Sequence, residues 1–301
     1  MSEARKQLNK KALLLVNPVA GRKLIQRSLS SVVRCLMDRG YLVTVAVTSA
    51  RNDARDLTAR FGGDYDLVVC AGGDGTLNEC VSGMAEADLR VPLGYIPCGS
   101  TNDYAVSHGL PLEIMAAAKS VSKGRLRQLD VGAFGDRCFL HHALFGAFTR
   151  LAYSTDQAQK NILGFGAYVL DGLRELPNLK PISMTLTADG VKEEGEYLFG
   201  AVSLDRNIAG LYTLPEDLIG PADGRLAAVL IKSPKSVADW DVLGHSLLSG
   251  DPACSMVKVL VGESILVQTP EGLEWSLDGE SSGVRYEVLI TAKRAFLTLQ
   301  G

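Results

Sequence analysis

Four carboxylates stand in settings where a carboxylate can do chemistry. Asp74 lies inside AGGDGTLNEC (71–80), Asp103 closes PCGSTND (97–103), Asp130 sits in LDVG and Glu280 ends WSLDGE (275–280). Around Asp74 are Gly72, Gly73 and Gly75, between a short apolar run and a periodic helix. Glycine costs roughly 0.5–1 kcal/mol relative to alanine where the chain must be regular. Such a turn therefore needs either glycine-only backbone angles or a group that approaches the main chain closely. Exposed N–H groups at a helix start attract phosphate oxygens. A carboxylate in that cradle would repel phosphate unless a cation lay between them, which reads as a Mg²⁺-nucleotide site. Asp103 starts a helix at the same edge of the expected sheet, and Asp130 falls at a change of architecture. Each aspartate alone reads as a helix cap; together they suggest a metal network. Glu280 could take a proton from an attacking hydroxyl, although Asp278-Gly279 is also a common hairpin turn and a glutamate after it is commonly solvated. The Walker spacing Gly-x4-Gly-Lys-Ser/Thr is absent, and a dinucleotide Gly-x-Gly-x-x-Gly fails at Asn78.

These residues need elements to position them. ALLLV (12–16), DLVVCA (66–71) and PLGYIP (92–97) are continuous apolar runs, as strands buried on both faces should be. YLVTVAVT (41–48) is a further, β-branched strand. Between them run helical patterns: Ile25, Leu29, Val32, Val33, Leu36 and Met37 on one stripe ending at Gly40, a helix capped by Asn52 or Asp53, a helix from Thr76, one opened by Thr101 or Asn102, and one begun at Pro111. Alternation of this kind implies a parallel, open α/β sheet. After about Leu129 the character changes. Short strands with Gly-Asp and Asp-Gly turns (135–136, 189–190) indicate an antiparallel β domain, sandwich or barrel. Helical segments are expected near 155–176 and 233–250. The domains expected are 1–132 with 288–301, and 133–287.

Composition bounds the function. The 301 residues are 47% hydrophobic and 22% charged, with a net charge near −3. No basic stripe with interleaved aromatics marks a nucleic-acid partner. No run reaches the ~20 apolar residues of a membrane span. The polar N-terminus and its short apolar run do not make a signal peptide, so a cytoplasmic protein is expected. Cysteines 35, 70, 80, 98, 138 and 254 form no Cys-x-x-Cys pair and read as free thiols. His108, His141, His142 and His245 show no zinc-ligand spacing.

AGGDGTLNE together with PCGSTND resembles the catalytic domain of the diacylglycerol kinase and bacterial lipid kinase family, which is related to the sphingosine kinases. NPVAG (17–21), Thr48 at the end of the second strand, FGAFT (145–149), ADGRL (222–226) and WSLDGE extend the resemblance in order along the chain. Gly-Gly-Asp-Gly-Thr alone is shared with NAD kinases and some phosphofructokinases. The resemblance implies an N-terminal α/β domain with an NAD kinase/phosphofructokinase-like open sheet, a C-terminal antiparallel β-sandwich, an active site between the two, and a chain end (AFLTLQ, 295–300) that returns to the first domain. It implies ATP contacts at Asn17, Pro18, Val19, Ala20, Gly21, Thr48, at Gly72, Gly73, Asp74, Gly75, Thr76, Leu77, Asn78 and Glu79, and at Ser100, where the family has threonine. It also implies an Asp–water–Mg²⁺ network at Asp74, Asp103 and Asp130, with Glu280 as general base. A structural Mg²⁺ in the family uses a Lys-x-x-Asp-Gly segment. Here its positions are Gly220, Asp223 and Arg225, with Gly220 replacing the lysine.

The expected activity is transfer of the γ-phosphate of ATP to a lipid hydroxyl, most simply that of diacylglycerol. The alternatives are a soluble-substrate kinase of the NAD kinase type and a non-catalytic nucleotide or lipid sensor. A lipid kinase needs an apolar crevice, for which Leu144, Phe145, Phe148, Leu163, Phe165 and Tyr168 are candidates, though β-domain core is the simpler reading of most of them. Membrane contact should be peripheral, since no strongly basic amphipathic helix is evident. A homodimer is one open expectation. Arg206 could narrow or re-charge the acceptor entrance, and one of His141 and His142 should face the core.

Overall fold

The computed structural model describes residues 8–21, 24–146, 180–208, 212–236 and 254–301, with a few further positions between 238 and 245. The helices expected near 155–176 and 233–250, and Phe148, Leu163, Phe165 and Tyr168, lie wholly or mostly outside these residues. The chain divides into two compact units, Met1–Leu129 with Ala295–Gly301, and Asp130–Arg294.

In the first unit, β1 (Lys10–Val16), β2 (Tyr41–Val47), β3 (Leu67–Gly72) and β4 (Leu93–Pro97) are all parallel. The strand order is β4-β3-β1-β2, and the end of β15 (Glu280–Gln300) adds beyond β4 through Leu299↔Leu93 and Gln300↔Gly94. The apolar runs are buried as their lack of alternation implies: every residue of β3 and β4 is buried. Helix α1 (Leu24–Met37) places Ile25, Val32 and Leu36 in the core with Leu14, Val16 and Val69. Burying each such side chain contributes about 1.5–3 kcal/mol. Helices α2 (Asp53–Phe61), α3 (Asp74–Glu86), α4 (Asp103–Ser107) and α5 (Ile114–Lys123) follow the strands.

Three helix starts differ from expectation. Asn52 precedes α2 at φ +71 without a side-chain cap, and the Asp53 carboxylate accepts the Ser49 and Ala50 amides instead. Helix α3 begins at Asp74, two residues before Thr76. Helix α5 starts at Ile114, because Glu113 accepts the Met115 and Ala116 amides and fixes the first turn there.

The second unit is antiparallel. After β5 (Leu126–Phe134) and β6 (Arg137–Phe139), β7 (His142–Gly146) pairs with β9 (Val191–Ser203) and β14 (Ser264–Leu277). Strand β8 (Ile182–Ala188) also pairs with both, so these four strands close on one another. The short hairpin β10 (Asn207–Ile208) and β11 (Tyr212–Thr213) precedes β12 (Leu226–Lys232) and β13 (Val257–Gly262), which extend the sheet from β9. Strand β12 is buried on both faces. Leu226, Ala228 and Leu230 enter one apolar cluster, and Ala227, Val229 and Ile231 another, as a period of two requires.

Phe145 belongs to the first of these clusters, edge-on to Trp275 at 4.8 Å between ring centres, with Phe134 on Trp275 at 5.0 Å. Leu144 belongs to the second. Both candidate crevice residues within the described chain are thus β-domain core. This packing also fixes β14, which leads into the turn bearing Glu280.

Candidate functional site: the glycine loops and the Asp278-Glu280 turn

Gly73 is the N-cap of α3 and offers no side chain to the helix's first amides. Such amides, with the positive end of the helix dipole, are suited to an anion. Asp74, the first helical residue, reaches across to the next strand–helix turn. Its Oδ2 accepts the Asp103 amide at 3.0 Å and the Thr101 hydroxyl at 3.1 Å, and its Oδ1 accepts the Tyr104 amide at 3.1 Å. Asp74 therefore caps α4. The expected caps do otherwise: Asn102 takes φ +54 and bonds back to Gly99 through Oδ1 and Nδ2. Tyr95, buried under this cluster, donates to Asp74 Oδ1 at 3.5 Å. Burial first, and the Asp74 charge second, raise its pKa and keep it a donor.

The glycines answer first to the protein's own backbone. A Cβ on Gly99 would stand 2.7 Å from Gly73 Cα, and one on Gly73 would stand 3.2 Å from Gly99 Cα. A Cβ on Gly21 would meet the Cys98 carbonyl oxygen at 2.4 Å. The loops after β1, β3 and β4 thus converge main chain against main chain at the carboxyl ends of parallel strands, where open α/β sheets bind ligands. Asn17 ties the first loop in: its Nδ2 donates to Thr76 Oγ1 at 2.9 Å and its Oδ1 accepts the Val19 amide.

The positions with an expected nucleotide role divide. Gly75, Val19, Gly21, Ser100 and Asp103 are exposed at these loops, and Asn17, Pro18, Ala20, Gly73, Asp74 and Asn78 are half-buried there. Gly72 and Thr76 are buried at the turn itself. Three others have structural work. The Leu77 side chain is wholly in the core. Thr48 is buried, with its hydroxyl 3.4 Å from the Val16 carbonyl. Glu79 spends both carboxylate oxygens on the Asn52 and Ala54 amides, at 2.9 and 3.2 Å, and so caps α2. Cys98, beside the loops, is no nucleophile, because burial pushes its thiol up to about 12.

Asp130 and Glu280 belong to the second unit. Asp130 is buried, accepts the Gly224 amide at 2.7 Å, and donates its own amide to the Pro221 carbonyl. Asp223 accepts the Gly220 and Arg225 amides at 2.7 and 2.9 Å. The loop of the expected structural cation is therefore closed by protein hydrogen bonds, and Gly220 and Arg225 offer N–H groups to Asp223 there.

Glu280 is exposed and follows a turn with Asp278 at φ +47 and Gly279 at φ +88, the geometry of a tight two-residue hairpin. Sequence reasoning treated Asp278 as a turn former only. Its carboxylate accepts three consecutive amides, from Leu140 at 2.6 Å, His141 at 2.9 Å and His142 at 3.0 Å, and its amide donates to the His142 carbonyl. An Asp at that turn was the visible signal; the distant acceptance of 140–142 was not.

His141 is buried as expected for one of the pair, with Nδ1 on Asp205 Oδ2, and His142 Nδ1 lies 2.8 Å from Ser203 Oγ. Burial first, and the neighbouring His141 second, lower the His142 pKa to about 4. Arg206 Nε and Nη2 bond the Leu214 carbonyl and Nη1 pairs with Glu216, which clamps the β10-β11 hairpin.

An open α/β unit with three converging loops and a carboxylate at a helix start belongs to the class of folds that hold ligands, phosphates among them, at the carboxyl ends of their strands. The comparisons narrow the class. The family described as diacylglycerol kinase catalytic domain matches residues 11–134. The diacylglycerol kinase of Bacillus subtilis (strain 168) is 31% identical over 278 residues, covering 91% of each chain. That of Staphylococcus saprophyticus is 31% identical over 281 residues, covering 92% of this chain and 90% of its own. A crystal structure of a putative diacylglycerol kinase from Bacillus anthracis str. Sterne superposes with a TM-score of 0.77 at 28% identity, covering 97% of both chains. The chain belongs to the diacylglycerol kinase family. It is a lipid kinase, and as a kinase it takes its phosphate from ATP.

Proposed function

We propose that the acceptor is the free hydroxyl of diacylglycerol, that the product is phosphatidic acid, and that transfer requires Mg²⁺. The observation that carries the nucleotide half is the convergence of the loops after β1, β3 and β4 around the uncapped start of α3, with Asp74 beside it. The diacylglycerol kinase names of relatives matched over nine-tenths of their length support the acceptor. We read the first unit as an NAD kinase-like open sheet and the second as a sandwich, in keeping with the two apolar clusters flanking β12.

The donor set fits Mg²⁺, a hard cation that takes carboxylate oxygen together with phosphate and water. Asp74 and Asp103 would hold it, with Asp130 engaged through water. When bound, the ion neutralises the charge that builds up on the transferring phosphoryl group. The protein's own residues do the rest. Asn17, Gly73, Gly75 and Ser100 lie along the loops that would carry the triphosphate. Asp74 fixes the α4 turn against that of α3. Glu280 accepts the proton of the lipid hydroxyl as its oxygen attacks the γ-phosphorus and ADP leaves. Among the described residues no helix is long and apolar enough to cross a membrane, so the lipid would be met by peripheral contact.

The test is transfer of labelled γ-phosphate from ATP to a panel of micelle-dispersed lipids and to NAD, with and without Mg²⁺. Labelled phosphatidic acid formed only with Mg²⁺ is expected. Labelling of a sphingoid lipid or polyprenol instead would overturn the acceptor assignment, and labelling of NAD alone would move the protein to the soluble branch.

A further inference from the structure

The second unit brings together two imidazoles and a carboxylate, His141, His142 and Asp205, none of which has a part in the phosphotransfer proposed above. One ligating atom from each of His141, His142 and Asp205 lies within 4.8 Å of the others. We propose that these three side chains bind a single late first-row transition-metal ion of the zinc class. The donor set decides the class of metal: two imidazole nitrogens with one carboxylate oxygen suit zinc, cobalt or nickel, whereas Mg²⁺ prefers oxygen alone.

The frame is built in advance. His142 and Ser203 are register partners on the antiparallel strands β7 and β9. Ser203 Oγ lies 2.8 Å from His142 Nδ1, accepts the Asp205 amide at 2.9 Å and donates to the Asp205 carbonyl at 2.7 Å. One hydroxyl thereby supports the His142 ring and fixes the backbone of Asp205, the kind of supporting contact on which metal sites depend. The backbones of His141 and His142 are held by Asp278, and the His141 carbonyl accepts the Leu204 amide. His142 and Asp205 are half-buried and His141 is buried. Metal–nitrogen distances of about 2.0–2.1 Å put four-coordinate ligands about 3.3 Å apart. Entry thus asks the His141–Asp205 hydrogen bond to open and give way to two metal bonds, with the fourth position taken by water. Because Asp278 spans both histidine amides and stands two residues before Glu280, the bound ion would stiffen the strand to which that turn is tied.

The test uses the full chain, freed of metal with chelator, without nucleotide and in excess Mg²⁺. Cobalt(II) is titrated while visible d–d absorption is followed, and zinc is then added in competition. One equivalent of cobalt with four-coordinate bands, displaced by zinc and insensitive to Mg²⁺, is expected. His142→Gln and Asp205→Asn, each checked for folding by circular dichroism, should weaken cobalt at least about tenfold and abolish any zinc-induced rise in thermal midpoint. If one variant fails to fold, the other decides. No cobalt bands in the wild type, bands unchanged in the folded variants, or the intense charge-transfer bands of thiolate ligation would each overturn the proposal.

Discussion

Replacing Asp278 by asparagine isolates what its carboxylate does. Asparagine tolerates the left-handed backbone that Asp278 adopts at φ +47, so the turn itself is not strained by the change. The loss falls on the three amides of Leu140, His141 and His142. Hydrogen bonds to a charged acceptor contribute about 1.5–3 kcal/mol, against about 0.5–1.5 kcal/mol for neutral ones. With a single oxygen left, the substituted side chain can keep the pair now on Oδ1 as neutral bonds, while its NH₂ group faces the Leu140 amide donor to donor. One charged bond lost and two weakened, in a half-buried turn, amounts to about 2–4 kcal/mol. Urea unfolding followed by tryptophan fluorescence measures it, since Trp275 lies three residues before the turn on the same strand. Amide exchange should report the same change locally, with protection falling at 140–142. A stability loss under about 0.5 kcal/mol, with protection at those amides unchanged, would refute the reasoning.

Other outcomes follow from the same geometry. Gly99→Ala forces a Cβ to 2.7 Å from Gly73 Cα, a backbone neighbour that cannot rotate away, so ATP affinity should fall at least about tenfold, or 1.4 kcal/mol, in equilibrium binding of a fluorescent ATP analogue. Glu79→Ala removes the cap of α2 and should cost about 0.5–2 kcal/mol of stability while leaving the KM for ATP unchanged; a raised KM would restore Glu79 to the nucleotide site. His142, with its pKa lowered to about 4 by burial and by His141 against the opposing pull of Asp205 and Asp278, stays neutral in the fold while the unfolded chain protonates near 6.5. Its stabilisation is complete above pH 6.5 and is lost as pH falls towards 4, by up to about 1.4 kcal/mol per pH unit. Chemical denaturation in chelator should show wild type losing stability between pH 6.5 and 5 more steeply than His142→Asn.

What was legible in the sequence was whatever leaves a local or periodic trace. The apolar runs at 12–16, 66–71 and 92–97 became the central parallel strands because residues buried on both faces have no reason to alternate. Asp189-Gly190 and Asp278-Gly279 were readable as turns because both central residues need positive φ. The glycines around Asp74 were readable as a demand for close approach, but not that Gly99 is the neighbour that approaches. What stayed hidden is side chains that satisfy a distant backbone. Asp74 caps a helix that starts 29 residues later, Glu79 caps one that starts before it, and Asp278 holds amides 136–138 residues upstream. A carboxylate bonded across such distances leaves no pattern in its own neighbourhood, so the sequence showed Asp278 only as a turn former and gave no sign that Glu79 caps α2. His141 and His142 show no zinc spacing, and Asp205, which completes the proposed site, comes from the bend after β9.

The central claim is that Glu280 removes the proton from the attacking lipid hydroxyl. Its most direct test is steady-state turnover of Glu280→Gln with diacylglycerol in mixed micelles, beside ATP binding and thermal unfolding of the same preparation. Glutamine keeps the size and hydrogen-bonding reach of the side chain at an exposed strand start and removes only the ability to accept a proton. A fall in kcat of about 10²–10⁴-fold, with ATP affinity and thermal midpoint unchanged, is predicted. Turnover within a factor of a few of wild type would contradict the account.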